Sequence, residues 1–133
     1  MLPRSARLVI VAASVAAAGC GRSSERDHYV TIRSLCAELA AAGATPAEAE
    51  VVLGGPPQLR LCRDDLAPLG DGDGCTYGPD LVLCDLTWAW RARNEALCGG
   101  PGCSYGCQLR VADEEAPACL VLFRSGSGEL VLP

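Results

Sequence analysis

Nine cysteines in 133 residues are the side chains with most chemistry to offer. Their placement divides them into two groups. Cys20 closes an uncharged run from Leu8 to Gly19 that follows Arg4 and Arg7, while Cys36, Cys62, Cys75, Cys84, Cys98, Cys103, Cys107 and Cys119 are spread through the remainder. An even set of thiols in a short exported chain couples into disulfides, and the alternative is a metal site. Cys98, Cys103 and Cys107 lie close together, but the chain has no C-x-x-C and its only histidine, His28, is far upstream, a poor match to zinc-ligand spacing. The eight are therefore read as up to four bridges, with no metal and no cofactor. Eight cysteines allow 105 pairings, and the sequence does not choose among them.

The run before Cys20 is a processing signal rather than a membrane span. Twelve residues at helical rise cover about 18 Å, well short of a hydrocarbon core of about 30 Å. Its end, Ala17-Ala18-Gly19-Cys20, resembles the lipobox of bacterial lipoproteins, in which small residues fit the signal peptidase groove and the thiol is the nucleophile that takes up diacylglycerol. Alanine at the first of these positions departs from the more usual leucine. The resemblance implies that residues 1–19 are removed and that Cys20 carries lipid. Gly21, where aspartate would signal retention, implies transfer to the outer membrane, and export in turn explains why the other thiols pair.

Catalytic arrangements find little material. His28 borders the segment following Cys20, so a Ser-His-Asp or Cys-His site would have to form around a mobile base. Asp64-Asp65 and Glu114-Glu115 are adjacent acids in polar stretches, which are usually solvated. The chain has no lysine, hence no phosphate loop of the usual kind. Asp71-Gly72-Asp73-Gly74 hints at calcium, but Cys75, Thr76 and Val82 stand where an EF-type loop needs a third ligand, a glycine and a carboxylate. No catalytic residue is expected, and the protein is not read as an enzyme. Without the signal, nine arginines oppose sixteen carboxylates, a formal charge of −7 that repels nucleic acid and anionic headgroups.

The elements that must hold these groups follow from periodicity. Residues 20–27 are polar and form a tether, which at no more than about 3.6 Å per residue keeps the folded part close to the membrane. A single domain then spans 28–133. Tyr29, Ile32, Leu35, Cys36 and Leu39 make one helical stripe that ends at Gly43. Thr45-Pro46-Ala47-Glu48 announces a second helix with a capping box, which stops at Gly54-Gly55-Pro56-Pro57. Residues 58–80, rich in glycine, read as a stapled loop. In 81–93, Val82, Cys84, Leu86, Trp88 and Trp90 alternate with Asp85, Thr87 and Arg91, the pattern of a strand with one buried face. Further strands are expected at 105–111 and 119–124, with Ser125–Gly128 turning the chain into a last strand at 129–132. The sum is an α+β fold: two N-terminal helices packed on a three- to four-stranded antiparallel sheet, stapled by disulfides.

The segment Gly43-Ala-Thr45-Pro46-Ala-Glu48-Ala-Glu50-Val51-Val-Leu53-Gly54-Gly-Pro56 is similar to the G-x-T-x-x-E-V-x-x-x-L-G-x-P stretch of small outer-membrane lipoproteins of the BamE (SmpA/OmlA) type. Trp88-Ala-Trp90 stands where that family has a tryptophan-x-tyrosine strand, and Leu120 to Leu130 looks like its closing hairpin. Eight cysteines and the glycine-rich insertion depart from the pattern. The resemblance implies a protein-binding module, best known as an accessory to β-barrel insertion. A protein partner in the envelope is therefore expected, besides the membrane reached through the lipid. One alternative is an inhibitor or ligand-binding lipoprotein whose pinned loop 98–107 enters a target. A purely structural surface lipoprotein is the other.

Overall fold

A computed structural model describes residues 24–68, 74–76, 78 and 80–127. Cys20, the Asp71-Gly72-Asp73 turn and the expected strand at 129–132 lie outside the described residues. Helix α1 (Glu25–Ala42) and helix α2 (Pro46–Leu53) are followed by strands β1 (Leu59–Arg63), β2 (Leu83–Arg91), β3 (Cys103–Val111) and β4 (Leu120–Ser127), with a 3₁₀ turn at Glu95–Leu97. The strands form one antiparallel sheet in the order β1-β2-β3-β4. This is the α+β arrangement of two helices on a sheet that the patterning predicts.

Local chemistry sets the helix ends. The Ser24 hydroxyl accepts from Asp27 N at 3.1 Å and the Asp27 carboxylate accepts from Ser24 N at 3.3 Å, a reciprocal cap that starts α1 three residues before His28. The expected tether is thus too long, because Glu25, Arg26 and Asp27 belong to the first helical turn. Gly43 ends α1 in the left-handed conformation, φ 61°, where a side chain would clash with the backbone. Thr45 and Glu48 cap α2 in the same reciprocal way, with Pro46 in its first turn.

One face of the sheet and the two helices enclose the core. Ile32, Leu35, Cys36 and Leu39 of α1 and Ala49, Val52 and Leu53 of α2 pack with Leu86, Trp88, Tyr105, Cys107, Leu109 and Val111. The sheet register brings Trp88 opposite Cys107, and Cys107 opposite Phe123. Trp88 is buried and its indole N–H donates to Gly55 O at 2.7 Å, which ties the α2–β1 turn to mid-sheet. Opposite Ala89 on β3 only glycine fits, since a Cβ on Gly106 would overlap the Trp88 carbonyl oxygen.

Three expectations are corrected here. The stretch 58–80 is not wholly loop, because Leu59–Arg63 pairs with β2 through Cys62 opposite Cys84 and supplies the sheet's fourth strand. Its alternation is poor and mostly exposed, so propensity gave no warning and pairing decided it. Secondly, β2 is covered on both faces rather than one. Leu83, Asp85, Thr87 and Ala89 are buried as well, and on that side Ala67 O accepts from Arg110. Val82, expected in the core, lies before the strand and is 51 % exposed. Thirdly, Ser125, Gly126 and Ser127 continue β4 instead of turning, since Tyr105, Ser104 and Cys103 of β3 offer them backbone partners.

Candidate functional site

All eight described cysteines are paired, and they pair with one another. Cys36 of α1 bridges to Cys107 in the central strand β3, Cys62 to Cys84 between β1 and β2, Cys75 to Cys119, and Cys98 to Cys103. The first joins the helical layer to the sheet inside the core, where Cys36 and Cys107 are almost wholly buried. The last closes a short exposed loop, so the pinned loop spans 98–103 rather than 98–107. Cys107 was the wrong boundary because its sulfur is taken by Cys36 of α1.

Two polar constellations remain once the bridges are assigned. The first lies where α1 begins. Glu25 accepts backbone N–H bonds from Arg93 at 2.9 Å and Asn94 at 2.6 Å, so the first turn of the helix grips the β2–β3 loop. Those bonds, Arg93 first, hold its carboxyl below the ordinary range. One turn later His28 Nδ1 lies 2.6 Å from the Tyr105 hydroxyl, with the imidazole edge-on to Trp90 at 5.1 Å and to Tyr105 at 5.7 Å between ring centres. Tyr29 packs against Tyr105 and Phe123, and its hydroxyl meets Ser125 Oγ at 3.1 Å. Partial burial pushes the His28 pKa down, with Glu25 opposing, and burial pushes the Tyr105 phenol up.

His28 is therefore not the mobile base expected from its position in the sequence. Packing on Trp90 and Tyr105 fixes the ring, and its partner is a phenol rather than a serine or a carboxylate. Ser125, the nearby hydroxyl, is engaged with Tyr29. Nothing in the sequence spacing joins His28 to Tyr105 across 77 positions; the β3 register does.

The second constellation is on the sheet face away from the helices. Asp85 and Arg110 are opposite one another in register and form a two-bond ion pair, Nε to Oδ1 at 2.6 Å and Nη2 to Oδ2 at 2.7 Å. Arg110 also reaches Ala67 O at 2.9 Å, and beside it Arg124 donates to Gln108 at 3.0 Å. A bidentate pair this deeply enclosed fixes the β2–β3 register, and through Ala67 it holds the segment just after β1. Ser104 Oγ is buried there with no hydrogen-bond partner among the described residues.

The carboxylate pairs are brought to the surface, not to a site. Asp65 is held by Arg63 at 2.8 and 2.9 Å, Glu114 pairs with Arg60, and Asp64 and Glu115 are exposed. Among the described residues no group of three or more His, Cys, Asp or Glu is placed to hold a metal, and no helix is long and apolar enough to cross a membrane.

No protein-family model, curated protein or solved structure matches this chain. Its functional reading rests on its own residues.

Proposed function

We propose that the protein is a lipid-anchored envelope protein, attached through Cys20 to the outer membrane, that works by binding another protein and not by catalysis. The observation that carries this reading is the sulfur bookkeeping. Eight cysteines find their partners among themselves within the fold, which leaves Cys20 as the thiol outside that set, behind a short apolar signal and three small residues. Four bridges favour an oxidising compartment, where such a signal delivers a chain. The capped α2 and the tryptophans of β2 are compatible with the BamE-like resemblance, which supplies the proposed setting of outer-membrane assembly.

Cys20→Ala is expected to release the protein from membranes into the soluble envelope fraction, and the mature wild-type N-terminus should carry acyl mass by mass spectrometry. A Cys20→Ala protein that sediments with membranes as before would refute the anchor. Affinity capture from detergent-solubilised envelopes then tests the partner. Barrel-assembly components are the expected co-purifying proteins. A second reading, inhibition of a soluble hydrolase, is favoured by the small bridged loop Gly99-Gly100-Pro101-Gly102, and recovery of such an enzyme would replace the first.

A further inference from the structure

The charge on this domain is sorted by end, and the sorting gives the domain a direction. At the end where α1 begins, the described ionic side chains are Arg26, Arg91 and Arg93 against Glu25, Asp27 and Glu95, which balance. At the opposite end, where β1 and β3 finish and β2 and β4 start, the exposed ionic side chains among the described residues of these strand ends and loops are Asp64, Asp65, Asp80, Asp113, Glu114 and Glu115 with Arg60 and Arg63, six carboxylates against two guanidiniums, while the buried Asp85–Arg110 pair cancels itself. The nine residues of β3 separate the two ends by about 30 Å at strand rise. That is about three Debye lengths at 0.1 M salt, so a surface touching one end does not feel the charge of the other. The formal −7 of the mature chain is thus a poor guide to what a membrane meets.

The tether decides which end is near. Four residues separate Cys20 from Glu25, five Cα-to-Cα steps with a reach of at most about 18 Å. The β2–β3 loop cannot leave the helix start independently, because the Glu25 carboxylate holds the backbone N–H groups of Arg93 and Asn94 and the Cys98–Cys103 bridge closes the same loop. The tether itself carries one charged residue between Cys20 and Glu25, Arg22.

We infer that the β2–β3 loop, residues 92–102, is the face this domain turns toward the lipid headgroups, with the acidic end directed away from the membrane. The inference rests on the anchored reading proposed above. It leaves the pinned loop facing lipid, and so unavailable to a soluble target.

The lysine-free sequence makes the test direct. Ala96→Lys in the near loop and Glu115→Lys at the far end, both exposed positions, each introduce one amine for a fluorescent donor. The lysine-free parent measures labelling at the terminal amine. Mature lipidated protein is incorporated into phosphatidylcholine–phosphatidylglycerol vesicles containing a headgroup-labelled acceptor. Energy transfer from position 96 is expected to exceed that from position 115 at least about twofold, given an end-to-end separation of about 30 Å. Equal transfer, or stronger transfer from position 115, with the protein still floating with the vesicles overturns the orientation and leaves the anchor standing. Protein that does not float with the vesicles overturns the anchor itself, and the orientation with it.

Discussion

Removing the bridge between Cys36 and Cys107 should cost this protein more than removing the one between Cys98 and Cys103, and the difference can be worked out in advance. The two cysteines are 71 positions apart, against 5 for the small loop. With the other bridges intact the unfolded chain has shortcuts through Cys62–Cys84 and Cys98–Cys103, so the loop that Cys36–Cys107 closes is effectively about 45 residues. Loop-closure entropy then gives about 4 kcal/mol for Cys36–Cys107 and about 2 kcal/mol for Cys98–Cys103. Burial widens the gap only slightly, because Cys36, Cys107 and Cys103 are all fully buried and Cys98 alone is partly exposed. Urea unfolding of the two double-alanine variants, followed by tryptophan fluorescence, is the assay. At a slope near 2 kcal/mol/M, the Cys36/Cys107 variant should lose about 2 M in midpoint and the Cys98/Cys103 variant about half that. A Cys98/Cys103 variant that loses as much as, or more than, its counterpart would refute the reasoning that the helix-to-sheet bridge is the main brace of the fold.

Two further outcomes follow from the site geometry. Asp85→Ala should destabilise by about 3–5 kcal/mol in the same assay, because it strips the carboxylate from a buried guanidinium, whereas the double change Asp85→Leu with Arg110→Met should cost far less by removing both charges; near-equal losses would show that the ion pair is not the source of the effect. His28 has its pKa lowered by burial, so the unfolded chain takes up a proton first as pH falls and the folded state loses stability below the ordinary histidine range, near pH 6.5. The stability difference between wild type and His28→Gln should change between pH 7.5 and 5, with the wild type losing ground, and a constant difference would sink that assignment.

What the sequence by itself determined is what depends on near neighbours in the chain. The caps at Thr45 and Glu48, the stop at Gly43, the alternation around Trp88 and Trp90 and the even cysteine count are all local patterns, and the helices and the three long strands follow from them. Ser24 and Asp27 were legible by the same rule, since they repeat the reciprocal cap one helix earlier, with an aspartate where a glutamate is more familiar. Tertiary structure decided the rest. Leu59–Arg63 becomes a strand because β2 has a free edge to offer it, which no property of Leu59-Arg60-Leu61-Cys62-Arg63 announces. His28 meets Tyr105, Cys36 meets Cys107 and Asp85 meets Arg110 because strand register and helix docking bring together residues 25 to 77 positions apart. Pairings of that kind depend on where the chain returns in space, and side-chain identity alone carries no record of that return.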